Sequence, residues 1–218
     1  MKLHYKMKSA FTMLELVMVI VVLGILAALA IPRMDRDIQQ EAADNILSAI
    51  RYTQHLALMD DKTDPFDGSW QQKLWAIRFS HYTKDGDRYY FYTIGTNEDK
   101  SAGIAKSETA IDPANGKYLY HLNTETEIQT GESPNLFIGK KFGINSFSHT
   151  GGCSNAQHIA FDNFGRAHNG IGGASNKYEK YMKTDCNLTF GFAGGEDNVS
   201  IIIEKETGYA YIDGQPDS

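Results

Sequence analysis

The sequence predicts an α+β protein in which a long N-terminal helix precedes a head of antiparallel strands. Three features indicate this class. An apolar stretch occupies residues 11–31, a polar segment with one apolar stripe follows at 35–59, and residues 60–218 alternate strand-like runs with turns. The chain of 218 residues contains 20 Gly, 12 Tyr and 11 Phe, which favours strands and turns over a helical bundle.

Charge is distributed unevenly along the chain. Five basic and two acidic residues give residues 1–36 a formal charge of +3, so the total of −6 leaves −9 on residues 37–218. An acidic head does not attract a phosphate backbone, and we therefore expect no general nucleic-acid binding by it. The mean hydropathy of −0.38 is an average over an apolar N-terminal segment and a polar remainder.

The N-terminal segment predicts a membrane span. Residues 1–10 carry three lysines and no acid, and the next 21 residues contain only Thr12 and Glu15 as clearly polar side chains. As a helix, this run would extend about 31 Å, enough to cross the hydrocarbon core of a bilayer. The preceding positive charge predicts a cytoplasmic N-terminus and an extracytoplasmic C-terminal domain.

Two other interpretations of this segment are a buried core helix and a cleaved secretory signal. A buried core helix of a soluble protein is disfavoured because the apolar run is too long and contains too few polar residues. A cleaved secretory signal has the right basic start, and residues 28–30 (ALA) resemble its cleavage site. However, the run exceeds the usual length of about 7–15 residues. It also contains Glu15, and a carboxylate in hydrocarbon costs roughly 2.5–3.5 kcal/mol.

Residues 10–32 read AFTMLELVMVIVVLGILAALAIP. This segment resembles the class III signal of type IV pilins and type II secretion pseudopilins. The resemblance implies a leader at 1–10, cleavage by a prepilin peptidase between Ala10 and Phe11, and N-methylation of Phe11. It assigns filament assembly to Glu15 and helix softening to Gly24 and Pro32. The family usually has Gly at the position of Ala10, so slower processing is one expectation.

The resemblance implies that Glu15 pairs with the free amine of Phe11 in a neighbouring subunit. A terminal amine has a pKa of about 7.7–8.0 and is largely cationic at neutral pH. In a low-dielectric environment its attraction to a carboxylate is strong, and an unpaired charge is costly. The spacing of four residues within one helix leaves pairing inside the chain open as an alternative.

Pro32 should kink the helix rather than end it, because an apolar stripe resumes afterwards. The stripe repeats every four residues at Ile38, Ala42, Ile46 and Ile50, with further members beside it: Leu47, Thr53 and Ala57. We expect this face of the amphipathic part, 35–59, to pack on a sheet.

Strands are predicted at 74–82, 89–94, 157–161, 188–192, 199–204 and 209–212. Residues 95–135 are difficult to assign, and 117–122 is the one candidate strand among them. Turns are predicted at 84–87, 162–166 and 207–208. The order strand, F-D-x-x-G-R turn, strand, strand, Gly turn and short strand resembles the carboxyl region of H-type minor pseudopilins.

Cys153 and Cys186 are the two cysteines, and an extracytoplasmic location predicts a disulfide between them. Its loop would contribute roughly 3–4 kcal/mol to stability. A metal site with nearby histidines (His149, His158 and His168) and a Cys/His nucleophile pair are alternatives, but no tight spacing supports either.

Two further patterns leave alternatives open. Acids cluster at Asp60, Asp61, Asp64 and Asp67, and again at 196–197, without the spacing of a calcium loop, so a solvated surface is the simpler interpretation. Two sequons begin at Asn187 and Asn198, each with an acid two residues earlier, a context that some bacterial N-glycosylation systems require.

No phosphate loop, nucleophile elbow or zinc-protease motif occurs, so we expect no enzyme, no cofactor and no resident metal. The predicted function is that of a minor pseudopilin of type II secretion, anchored in the bacterial inner membrane with a periplasmic head. Its expected partners are prepilin peptidase, major and minor pseudopilins or pilins, and the inner-membrane assembly platform. A minor pilin of a type IV pilus or a competence pseudopilus is one alternative. A membrane-tethered periplasmic binding domain or enzyme is another.

Overall fold

The computed structural model describes residues 12–101, 103–154, 158–172, 179–194 and 197–218. It contains a long N-terminal helix followed by a β-rich domain with two four-stranded sheets, which confirms the α+β prediction. The chain divides into two compact units, Met1–Gln40 and Glu41–Ser218, and each is described by itself.

The helices and strands have the following bounds: α1 Met13–Met59, β1 Trp75–Lys84, β2 Asp87–Gly95, α2 Ile138–Phe142, β3 Ile144–Gly151, β4 His158–Phe161, β5 Ala167–Asn169, β6 Cys186–Phe192, β7 Val199–Ile203 and β8 Ala210–Ile212. Short 3-10 helices occur at Trp70–Lys73, Lys106–Glu108 and Pro134–Leu136.

The first unit contains the N-terminal part of α1. The helix continues through Pro32, although proline supplies no N–H to the helical ladder. Within the described residues, no helix combines the length and the apolar character needed to cross a membrane. Ile38, which the sequence places on the core stripe, is 41% exposed, so the buried stripe begins after it.

The second unit is organised around the C-terminal part of α1. Ala42, Ile46, Ile50 and Ala57 are each at most 1% exposed, and they share one hydrophobic core with side chains from both sheets. Their spacing places them on one helical face, as the apolar stripe predicts. Burial of this face stabilises the packing of the helix against the sheets.

The first sheet has the order β2-β1-β4-β5 and is antiparallel throughout. β1 and β2 form a hairpin that turns at Asp85 and Gly86, both of which have positive φ. The second sheet has the order β3-β6-β7-β8 and is also antiparallel. The sheets meet where Phe79 of the first packs on Phe147 and Phe190 of the second, with ring centroids 5.1 and 5.2 Å apart.

The structure corrects the strand prediction for 117–122. Tyr118 makes only isolated bridges, to Ile111 and to Glu132, because the segments beside it are turns rather than strands. Conversely, β3, β5 and α2 were not predicted. β3 is an edge strand whose side chains are mostly exposed and polar, so it lacks the apolar alternation that identifies a half-buried strand.

Candidate functional site

Thr12 and Glu15 cap the N-terminus of α1 through reciprocal hydrogen bonds. The backbone N–H and the hydroxyl of Thr12 both donate to Oε2 of Glu15, at 2.9 and 3.0 Å. The backbone N–H of Glu15 donates back to the Thr12 hydroxyl at 3.3 Å. This is a capping box, in which two otherwise unpaired helix N–H groups are satisfied by side chains.

The capping box gives Glu15 a role that our sequence interpretation missed, although its pattern, Thr-x-x-Glu before an apolar run, was present. The box anchors the carboxylate in the first helical turn, where negative charge also interacts favourably with the helix dipole. Glu15 therefore has a partner within its own chain. Ala10 and Phe11, the predicted cleavage and methylation residues, lie outside the described residues.

After the capping box, α1 presents apolar side chains on every side. All residues from 12 to 26 are exposed, and the large apolar ones range from 48% exposure at Val19 to 88% at Met13. A methyl group added to Gly24 would meet no atom within 4 Å, so no contact in the unit requires a glycine there. Such a helix is suited to burial in lipid or among other helices.

In the second unit, a side chain of α1 forms hydrogen bonds to both of the turns predicted at 162–166 and 207–208. Nε2 of Gln54 donates to the carbonyls of Gly165 and Thr207, at 2.8 and 3.0 Å. Gly208 has φ of +66°, and a Cβ there would lie 2.0 Å from the carbonyl oxygen of Gly165. The close approach of the turns therefore requires glycine, and Gln54 joins one turn from each sheet.

Asp162 organises the turn between β4 and β5. Its Oδ1 accepts from the backbone N–H groups of Phe164 and Arg166, and its Oδ2 accepts from Nε of Arg166 at 2.8 Å and lies 3.3 Å from Nε2 of His168. Burial acts to raise the pKa of Asp162, but the hydrogen bonds from His168 and Arg166 outweigh it and lower the pKa to about 2. The F-D-x-x-G-R motif thus has a structural role in this turn.

Cys153 and Cys186 form the predicted disulfide, with their Cα atoms 5.2 Å apart. The bridge joins the end of β3 to the start of β6, next to the Gly151–Cys186 strand pair. A Cβ at Gly152 would lie 2.1 Å from the carbonyl oxygen of Thr184, so only glycine allows this approach.

The three histidines that are alternative metal ligands do not gather around the cysteines. His149 lies on β3, His158 on β4 and His168 on β5, so they are divided between the two sheets. Across the part of the chain that the structure describes, no group of three His, Cys, Asp or Glu side chains is placed to hold a metal ion.

The acids near the end of α1 are engaged locally. Asp60 pairs with Lys62 at 2.7 Å and accepts from the indole of Trp75. Asp67 accepts from Lys100 and from Ser69, and these bonds hold the pKa of its carboxyl far below the usual value. These contacts account for both acids as a network at the surface of the head.

The two sequons occupy different surroundings. Asn187 lies on β6 and is partly buried, paired across the sheet with Ile202 and Thr150. Asn198 lies just before β7 and is exposed. Asn198 is therefore the more accessible of the two positions.

Comparison with known proteins identifies the N-terminal segment. Residues 5–31 match the family model of the prokaryotic N-terminal methylation motif. The match spans the predicted cleavage position, Glu15 and Gly24, and it implies processing by prepilin peptidase and pilin-type assembly. No curated protein and no solved structure matches the chain.

Proposed function

We propose that this type IV pilin-like chain is a minor pseudopilin, a structural subunit of a short filament of the type II secretion kind. Prepilin peptidase removes residues 1–10, Phe11 is N-methylated, and the subunit joins the filament through the N-terminal part of α1. Its role is structural rather than enzymatic. The observation that carries this proposal is the methylation motif at residues 5–31, continuous with a helix whose apolar side chains are exposed on all sides.

The exposure of residues 12–26 supports burial in two successive environments. Apolar side chains exposed around a whole helix gain most when they are transferred to lipid or packed against other helices. Before assembly this segment anchors the chain in the inner membrane, with the N-terminus in the cytoplasm and the head in the periplasm. After assembly the same side chains pack among the equivalent helices of major and minor subunits.

The disulfide supports the periplasmic location of the head. Disulfides form and persist in oxidising compartments such as the bacterial periplasm and are rare in the cytosol. Cys153 and Cys186 lie in the second unit, on the C-terminal side of the proposed anchor. This agrees with the orientation that the lysines of the leader predict.

Glu15 has two roles in this proposal, one in the single subunit before assembly and one in the assembled filament. In the single subunit it closes the helix through Thr12. On assembly, the methylated amine of Phe11 in a neighbouring subunit pairs with the same carboxylate and fixes the axial register. Capping needs a hydrogen-bond acceptor at this position, which Gln also supplies, whereas pairing with a cation needs the negative charge.

Three variants separate the two roles: Glu15→Ala, Glu15→Gln and Thr12→Ala. We expect both Glu15 variants to reduce co-purification with the major subunit by about a hundredfold or more, because each leaves a buried amine unpaired. Thr12→Ala loses only the cap and should reduce it by about fivefold or less. Carbonate extraction of membranes should show unchanged insertion for all three.

The opposite ranking would contradict the assembly role. If Glu15→Gln assembles like the wild type while Thr12→Ala and Glu15→Ala are equally impaired, Glu15 acts as a cap alone. Normal incorporation of Glu15→Ala would remove the pairing hypothesis altogether.

The type of filament is tested by identifying the proteins that cross-link to this chain in the native host. The order of strands around the F-D-x-x-G-R turn resembles H-type minor pseudopilins, and this favours the secretion machine. Cross-linking in the native host should therefore yield the major pseudopilin and platform proteins of a secretion system. Capture of the major pilin of a type IV pilus or of competence subunits would assign the chain to those filaments, and a chain with no pilin-like partner would indicate a tethered binding domain or enzyme.

A further inference from the structure

Arg78 lies on β1, an inner strand of the first sheet, and no ion pair joins its guanidinium to another residue that the structure describes. Arg78 of β1 lies directly opposite His158 of β4 on one side and opposite Thr93 of β2 on the other. Directly opposed residues in antiparallel strands have Cβ atoms about 4.5–5.5 Å apart. Arg78 and His158 therefore form a cross-strand pair, and both side chains are partly buried.

Neither member of this pair has a hydrogen-bond partner for its buried nitrogen. Nε of Arg78 and Nε2 of His158 are both inaccessible and unbonded among the described residues. Burial alone lowers the pKa of Arg78, with no contribution from an acid. Burial and then the charge of Arg78 lower the pKa of His158 to about 4, so the imidazole is neutral near pH 7.

An unpaired, partly buried guanidinium is unfavourable for the free protein. Buried charges are normally paired, and each buried donor without an acceptor loses its hydration without compensation. Arg166 in the same unit provides a contrast, since its guanidinium bonds Asp162 at 2.8 Å. Within the described ranges, Arg78 thus has no acidic acceptor of the kind that Arg166 has.

A small cavity is lined in part by Arg78. It has a volume of about 70 Å³ and is lined by residues that include Arg78, Thr93, Tyr120, His121 and Asn123, with no Asp or Glu among its described lining residues. His121, which lines the cavity, bonds Glu132 at 2.8 Å, and the same carboxylate oxygen also accepts from the backbone N–H of Gln129 at 3.0 Å.

We propose that this cavity is a binding site for a carboxylate group, with Arg78 as the residue that binds it. A planar guanidinium matches a carboxylate through two parallel N–H···O bonds. The volume suits one such group rather than a whole metabolite, for which pockets of about 300–1,000 Å³ are usual. The group is supplied either by an acidic side chain of a protein or by a small free acid. This site does not depend on the proposed filament role.

The test is a side-chain NMR titration of the full chain in detergent. The Nε–H signal of Arg78, identified by its loss in Arg78→Gln, is followed during addition of sodium acetate with sodium chloride as the ionic-strength control. We expect a saturable shift, and we expect Arg78→Gln to weaken acetate binding, measured by calorimetry, by about tenfold or more. The matched control is Arg88→Gln. Arg88 is exposed on β2, and its replacement changes the net charge by the same amount as Arg78→Gln does.

Two further titrations, with an acidic peptide and with sodium phosphate, identify the source of the bound group and its chemical class. An acidic peptide, acetyl-Gly-Glu-Gly-amide, that competes with acetate assigns the site to protein side chains, and binding of acetate alone assigns it to small acids. A shift with sodium phosphate but not with acetate overturns the proposal. So does a linear, unsaturable response, or equal losses in the Arg78 and Arg88 variants.

The folding of Arg78→Gln is checked by its thermal unfolding. Removal of an uncompensated buried charge should leave the transition unchanged or raise it. A clear destabilisation would mean that Arg78 supports the fold rather than a ligand, and it would contradict the proposal even if acetate binding is lost.

Discussion

The two ends of α1 share one helical backbone but have opposite surroundings. In the first unit every residue from 12 to 26 is exposed, including Ile20 at 60%. In the second unit Ile46 and Ile50 are both 0% exposed. Both ends are rich in aliphatic residues, so apolar composition alone does not separate them.

The difference lies in how the apolar residues are distributed around the helix. Near the N-terminus they occupy all sides, which no single sheet can cover. Near the C-terminus they form one stripe, and polar residues such as Arg51 and Gln54 occupy the remainder and donate to backbone carbonyls of the head, at Ala210 and Gly165 respectively. A helix with apolar residues on all sides is suited to being surrounded by lipid or by other helices. A helix with one apolar stripe is suited to packing within a folded domain.

The largest expected effect comes from matched truncations at the two ends. Ile50→Ala should lower the free energy of unfolding of the head by about 4–5 kcal/mol, because it leaves a cavity at a fully buried site. Ile20→Ala removes the same atoms from an exposed site and should leave head stability unchanged. The measurement is denaturant unfolding of the full chain in detergent.

Tryptophan fluorescence makes this measurement specific for the head. The two tryptophans, Trp70 and Trp75, both lie in the second unit. Equal loss of stability in Ile50→Ala and Ile20→Ala would refute the contrast between the two ends of the helix.

Removal of the disulfide should have the next largest effect. The double variant Cys153→Ala/Cys186→Ala opens a loop closed over 33 residues of sequence and should destabilise the head by roughly 3–4 kcal/mol. Membrane insertion should not change, since the bridge lies in the second unit. An unaltered denaturation midpoint, or cysteines in the wild type that are alkylated without reduction, would contradict this prediction.

A smaller and pH-dependent effect is expected from Asp162. Its folded-state pKa of about 2 is below the ordinary 3.8, so its contribution is present above about pH 4 and is lost as the pH falls through 2. Asp162→Asn should therefore be less stable than the wild type by about 2 kcal/mol at pH 7, with the gap closing near pH 2. Chemical unfolding at a series of pH values measures this gap, and a constant gap would show that the carboxylate charge is not its cause.

The sequence carries enough information for the long helix, the disulfide and most strands of the head. Their signals are local or depend on composition: a basic leader before an apolar run, a stripe at every fourth residue, and alternation around turns. The capping box of Thr12 and Glu15 could also have been predicted, since Thr and Glu three residues apart before an apolar run are its signature.

The rest depends on contacts between distant parts of the chain. Asp112 accepts hydrogen bonds from Ser133, Asn115 and Asn135, which hold loops that have no periodic pattern of their own. Gln54 joins turns more than 100 residues away in sequence. No local propensity encodes such bonds, and this explains why residues 95–135 were difficult to assign and why the strand predicted at 117–122 was wrong.

The most direct test of the central claim is the mass of the N-terminal peptide of the chain extracted from host membranes. We predict a chain that starts at Phe11 with one methyl group on its amine, and an unprocessed chain in cells that lack prepilin peptidase. An intact Met1 in peptidase-competent cells, or an N-terminus at Ile31, would contradict it.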